Sequence, residues 1–267
     1  MSESNKRNFI VHGSILAIAG ILVRIIGMLY RIPVVNIIGS EGNGIYGAAF
    51  NIYNIMLVLS SYGLPMAVSK LVSARFTKRR YKSAAKVLRC SLMVAVCTGG
   101  IAALLVFFGA SFIENVIYGG GLPGLAIPLR ILAPTIFLVA ILGVIRGFFQ
   151  GQSTMIPTAV SQILEQIVNA IVSIAAGYGM MKAFASSPDV AAYGAAGSTL
   201  GTAMGALTAV LFMGFLYAVY TPTFNRLKRK DRHTENQSTG QICKIIIYTM
   251  IPIILGQTFY QISALID

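Results

Sequence analysis

The chain of 267 residues is 56% hydrophobic and 11% charged, with 21 Lys and Arg against 8 Asp and Glu. No soluble domain of this length has a core able to take up that much apolar surface, so a soluble enzyme or binding module is excluded. The net charge of +13 sits between apolar segments rather than in an aromatic-interleaved basic motif, which argues against nucleic acid as a partner. The apolar stretches run for about 20 residues without period-two alternation, which suits membrane-spanning helices and not the strands of a barrel. The fold class is therefore an all-α polytopic membrane protein.

Six full apolar segments are expected at 9–37, 44–68, 86–113, 124–148, 157–182 and 191–220, and a seventh at 244–267. They divide the chain into a six-helix unit (1–220), a basic loop (221–243) and a seventh helix (244–267). That last helix is expected to be incomplete, because it stops at Asp267 without a polar flank. No signal-peptide cleavage site closes the first segment, which is expected to remain as an anchor.

The first segment carries Arg24 within an apolar run, and Arg31 two turns later. An arginine at membrane depth costs about 2.5–3.5 kcal/mol on insertion scales. A dozen apolar neighbours at about −0.3 to −0.6 kcal/mol each outweigh it. The segment inserts with Arg24 in place if that side chain faces protein or a watery cavity, which makes Arg24 the first candidate for an anionic ligand. The second segment offers Asn51 and Asn54, one helical turn apart and on one face.

Lys70, Arg75, Lys78, Arg79, Arg80, Lys82, Lys86 and Arg89 follow without an acid, and a second basic group from Arg226 to Lys244 lies between segments six and seven. The opposite connections hold Glu41, Glu114 and Asp189 with few cations. The bias places the N-terminus and both basic loops in the cytoplasm of a multi-pass protein of the cytoplasmic membrane.

The fourth segment ends with Arg146 and Gln150, and Arg146 either binds ligand or reaches to the interface. The fifth holds Gln162, Glu165 and Asn169 in one stripe. Glu165 is the only carboxylate well inside the first six segments. It either pins a buried arginine or takes up a proton or cation during transport. The seventh holds Gln257, Gln261 and Asp267.

Glycines recur at 13, 20 and 27, at 143, 147 and 151, and at 197, 201 and 205, spacings that let helices approach closely in lipid. Pro33, Pro65, Pro134, Pro157 and Pro252 punctuate membrane depth, as in helices bent around a cavity. Cys90, Cys97 and Cys243 form no CxxC pair and read as packing residues. There is no Ser/His/Asp set, no Walker-type loop and no metal-ligand spacing, so neither an enzyme nor a metal or organic cofactor is expected. Energy would come from a proton or sodium gradient, or from the membrane potential.

The stretch Leu22–Ser73 resembles the start of the polysaccharide-biosynthesis flippases of the multidrug/oligosaccharidyl-lipid/polysaccharide (MOP) superfamily. Within that superfamily it most resembles the branch holding stage V sporulation protein B and the MurJ-type lipid II flippases. The residues that carry the likeness are R-x-x-G at Arg24–Gly27, G-x-x-x-x-G-x-Y at Gly39–Tyr46 and G-L-P at Gly63–Pro65. Arg146–Gln166, RGFFQGQSTMIPTAVSQILEQ, resembles the family's junction of helices four and five.

The resemblance implies the six-helix N-lobe of a MATE-like transporter plus part of helix seven, facing a C-terminal lobe across a central cavity. It implies alternating access for a lipid-linked oligosaccharide diphosphate within the membrane lipids. Arg24 matches a cavity arginine of the lipid II flippases, and "SALID" places Asp267 within helix seven. Arginine is the residue for a diphosphate, which it binds bidentately. The substrate contacts expected are Arg24, Arg31, Asn51, Asn54 and Arg146, with Glu165 and Asp267 coupling to an ion. Relatives from Gram-negative bacteria carry arginines in helix two where this chain has Leu57 and Val58, which leaves the head group open. The alternatives are a cation-coupled multidrug exporter of the same superfamily and a non-transporting scaffold for envelope or spore assembly.

Overall fold

The computed structural model describes the backbone of residues 3–233 and 237–266, with side chains from Gly13 to His233 and from Gln237 to Thr258. Seven helices appear among the described residues: α1 (Glu3–Ser60), α2 (Gly63–Thr77), α3 (Tyr81–Phe112), α4 (Ala126–Gly151), α5 (Ile156–Ala183), α6 (Val190–Lys230) and α7 (Thr239–Ile266). Six helical stretches are long and apolar enough to cross a membrane, the first running from Gly13 to Thr77.

That first stretch holds two crossings. Gly39 has φ 69° and ψ −175°, a left-handed backbone that ends one helical arm and starts the next. The chain turns back there: Tyr30 of the first arm packs against the same apolar core that holds Tyr46 of the second. On an unbroken helix those residues would stand about 24 Å apart. The expected segments 9–37 and 44–68 are thus the two arms, and the second continues through a short break at residues 61–62 into α2.

The remaining segments fall where the apolar pattern puts them, with ends shifted by five residues or fewer except at the end of α6. α6 runs on to Lys230, well into the stretch read as basic loop, and its last turn sets Lys228, Arg229 and Lys230 at the negative end of the helix dipole. Beyond Phe112, α3 widens into a π-type turn over Ile113–Ile117.

The scarce acids hold helix ends. The two oxygens of Glu114 accept the backbone N–H groups of Gly124 (3.0 Å) and Ala126 (2.7 Å), and so cap α4 from the preceding turn. At the other end of the bundle Asp231 accepts the N–H of Lys82 (2.8 Å) at the start of α3, tying the loop after α6 to that helix. Gly124 is required twice over: its φ is +80°, and a Cβ there would stand 2.4 Å from that of Ala192.

Two apolar cores stack along the bundle. Toward the basic end, Phe148 is enclosed by Phe76, Tyr217, Tyr220 and Phe224. Toward the other end, Val34, Ile38 and Ile45 of α1 pack with Leu125 just before α4, with Leu129 and Leu132 of α4, and with Ala191, Ala192 and Ala195 of α6.

Two of the glycine series close these helices on one another. A Cβ at Gly147 would meet the Pro65 carbonyl at 2.6 Å, and one at Gly201 would meet Ser173 Oγ at 2.0 Å. The first series departs from its expected role: Gly13 and Gly20 face open space, and only Gly27 meets a neighbour, Gln166. The cysteines divide as well. Cys90 is buried, whereas Cys97 is exposed and contributes nothing to the core.

Large apolar side chains cover the outer faces of α3, α5 and α6; Phe108, for example, is 76% exposed. A soluble protein avoids so continuous an apolar exterior. Here it is the surface that meets lipid.

Candidate functional site

Between the second arm of α1, α2, α4 and α5 lies a cavity of about 330 Å³, within the range of ligand pockets. Its walls are apolar at Leu57, Pro65 and Val139 and polar at Tyr53, Arg146, Gln150, Gln162 and Glu165. Arg146 donates from Nη2 to Glu165 Oε2 at 2.7 Å and from Nε to Ser161 Oγ at 2.9 Å. The pair is largely sheltered, with side chains 14% and 26% exposed. The Nη1 group of Arg146 has no protein partner among the described residues.

The local sequence explains this geometry. α4 ends at Gly151 and α5 starts at Ile156 with a proline in its first turn, so the chain reverses over a few residues. Arg146, just before the turn, then lies against α5, where Thr158, Ser161, Glu165, Asn169 and Ser173 recur every three or four residues and share a face. Arg146 reaches inward along that face, not outward to the interface.

The polar stripe continues beyond the cavity. Asn169 donates to Tyr30 Oη (3.3 Å) and accepts from Ser173 Oγ (2.9 Å) and Thr202 Oγ1 (3.5 Å), which joins α1, α5 and α6. The Ser198 carbonyl lies 2.8 Å from Ser173 Oγ and shares its one hydroxyl proton with Asn169. Buried groups satisfied in this way hold helix positions firmly in an apolar surround.

The other expected site residues stand elsewhere. Arg24 and Arg31 are exposed on the first arm of α1, outside the cavity, and neither has an ion-pair partner among the described residues. At about 100° per residue they share a face with Gly27, the glycine that touches α5. They therefore border the packed strip of that arm, beside the exposed Ile21, Ile25 and Met28.

Asn51 is exposed and Asn54 half-buried, and the second arm turns Tyr53 and Leu57 to the cavity instead. Asp267 lies outside the described residues. Tyr53, Ser161 and Ser173 are polar members of the site and its stripe beyond those expected. The two serines extend the spacing of Glu165 and Asn169 by four residues in each direction, which is a readable signal. Tyr53 beside Glu165 has no such signal.

Comparison with known proteins supplies the family. Residues 10–266 match the model of the polysaccharide biosynthesis protein family. The chain belongs to that family, and it is a multi-pass membrane protein. It is 34% identical over 176 residues to the lipid II flippase MurJ of Bacillus subtilis, covering 64% of this chain and 32% of that protein. It is 30% identical to stage V sporulation protein B of the same organism, covering 78% and 39% respectively. To the membrane protein YabM, also of B. subtilis, it is 28% identical over 98% of this chain and 47% of the relative. The chain thus spans less than half the length of these curated relatives.

Among solved structures it resembles a MATE transporter in its straight conformation, with a TM-score of 0.77 at 17% identity, covering 97% of this chain and 55% of that one. An outward-facing MATE multidrug transporter of the MOP superfamily gives a TM-score of 0.72 at 18% identity, covering 94% and 53%. The fold is that of a MATE-type lobe.

Proposed function

We propose that the chain forms the N-terminal lobe of a flippase that carries a lipid-linked sugar diphosphate across the cytoplasmic membrane by alternating access, with its N-terminus in the cytoplasm. A peptidoglycan precursor such as lipid II is the favoured cargo. The observation that carries this reading is Arg24, an exposed arginine in the middle of an apolar helical arm, without an acid partner among the described residues. A permanent cation at that depth is costly unless a mobile anion visits it. A diphosphate supplies that anion, and Arg31, two turns along the same face, extends the reach to a second phosphoryl group.

Arg146 and Glu165 then form the responsive part of the lobe. With no cargo, Glu165 neutralises Arg146. An entering phosphate competes for the guanidinium, and a proton or cation taken up by Glu165 frees it. The carboxylate of Asp267 serves as a second coupling group. Asn51 and Asn54 hold sugar or peptide, and a C-terminal lobe closes the cavity. The multidrug-exporter alternative needs a free acid in the cavity, and Glu165 is instead paired with Arg146.

The test is growth. In cells depleted of their own lipid II flippase, the protein expressed at its full natural length rescues growth, and Arg24→Ala at equal membrane level does not. Growth with Arg24→Ala equal to the unaltered protein removes Arg24 from the mechanism.

A further inference from the structure

The charged end of the bundle holds a pocket that the transport cavity does not share. Its volume is about 400 Å³, and Lys82, Lys86, Arg89 and Met93 of α3 line it with Lys228 of α6. No acid lines it. Asp231, the nearest described acid, is already engaged by the backbone N–H groups of Lys82 and His233 and by the His233 ring. Lys86 donates to the Gln237 carbonyl, and Lys228 sits 5.3 Å from the Phe224 ring centre. Neither contact neutralises charge. Arg89 is exposed and has no ion-pair partner among the described residues.

The same face of α3 continues as an apolar track. Lys82, Lys86, Arg89, Met93, Gly100, Leu104 and Phe107 follow one another at intervals of three, four or seven residues, and so lie on one side of the helix. Met93 is exposed. Gly100, Leu104 and Phe107 form one wall of a groove of about 390 Å³ whose other wall is Pro134 and Phe137 of α4. That groove begins about 16 Å along the axis from Arg89, roughly the depth of one leaflet of a ~30 Å hydrocarbon core.

We propose that this face of α3 is a binding site for an anionic membrane phospholipid, with its head-group phosphate among Lys82, Lys86, Arg89 and Lys228 and an acyl chain along Met93 to Leu104. Clustered cations at the membrane surface attract phosphate in any form. The apolar track in register with them selects the form that carries a chain. The inference is independent of the transport reading, because none of these residues lines the cavity around Arg146.

The test titrates the purified, detergent-solubilised protein with palmitoyl-oleoyl phosphatidylglycerol, cardiolipin or phosphatidylcholine and reads lipid adducts by native mass spectrometry. The anionic lipids are retained over phosphatidylcholine. Lys86→Gln/Arg89→Gln weakens phosphatidylglycerol retention about tenfold or more, given about fivefold per surface cation. Lys78→Gln/Arg79→Gln, which removes equal charge from the nearby turn, changes it less than twofold. Arg89→Gln, at an exposed position, carries the test if the double variant does not fold. Leu104→Asn weakens phosphatidylglycerol retention, and equimolar inorganic phosphate does not displace the lipid. Equal losses in the two double variants would reduce the pocket to diffuse charge. Displacement by phosphate, with no effect of Leu104→Asn, would make it an anion site without lipid. Either outcome overturns the proposal.

Discussion

The lobe uses one sequence device, small residues at helical spacing, with opposite results in two places. Along α4 and α6 the glycines are filled by their neighbours: Gly143, Gly147 and Gly151 take Pro65 and the following turns of α2, and Gly197, Gly201 and Gly205 take α5. Along the first arm of α1, Gly13 and Gly20 take nothing, and the arm displays Arg24 and Arg31 instead. Close packing in lipid depends on van der Waals contact and internal hydrogen bonds, since lipid gives helices no hydrophobic reason to associate. Helices α2 to α6 satisfy those needs within the lobe. The first arm leaves a face open, and in the proposed reading that face borders the cargo and the second lobe.

The largest expected effect tests the packed side. Gly147→Leu drives a side chain into the Pro65 backbone and Gly201→Leu into Ser173 and the α5 backbone, and each costs about 3 kcal/mol or more. Size-exclusion profiles after heating show the loss. Gly20→Leu, facing open space, shifts the same profile little, within about 0.5 kcal/mol. Equal damage at Gly20 and Gly201 would erase the contrast between the two regions.

Next comes the ion pair. Arg146→Ala leaves the partly sheltered Glu165 carboxylate without its partner and destabilises the lobe by about 2–3 kcal/mol, below the cost of breaking a fully buried pair. Glu165→Gln costs less, because an amide oxygen still accepts from Arg146. Thermal unfolding ranks the two, and Arg146→Ala is expected to be the worse. If Glu165 also couples transport to an ion, Glu165→Gln changes the dependence of flipping on the proton or sodium gradient. An unchanged dependence leaves the pair a static fastener.

A smaller effect belongs to the caps. Burial opposes ionisation of Asp231, but the N–H groups of Lys82 and His233 and the His233 ring outweigh it and hold the carboxyl below the usual carboxylate range. A lowered folded pKa means that the stabilisation is fully present above about pH 4 and is lost as pH falls through the folded value. Asp231→Asn therefore costs about 1–3 kcal/mol near neutrality, and the loss shrinks on acidification. Melting curves taken from pH 7 downward measure it. Glu114→Gln, at the start of α4, costs about 1 kcal/mol.

The membrane segments were legible in sequence because apolar length alone sets them, and the reversal at Gly39 falls between two such runs. The partner of Glu165 was not. Arg146 and Glu165 lie on different helices, and only the short turn at 152–155 decides which arginine meets that carboxylate. Several residues of the motifs that carry the family likeness hold helices: Gly27 meets Gln166, Gly63 meets Met250, and Pro65 fills the space at Gly143. Arg24 is exposed, and Gly44 has no neighbour where a Cβ would stand, so these two motif residues have no packing role. Spacing identifies a helix face but not what covers it, and so Gly13 and Gly147 look alike in sequence.

The most direct measurement is the accessibility of lipid II to a probe added outside cells depleted of their own flippase. With the unaltered protein at its full natural length, surface lipid II returns; with Arg24→Ala at the same membrane level, it stays inside. Surface lipid II restored equally by both would contradict the account, because the open cationic face of α1 would then have no part in moving the lipid.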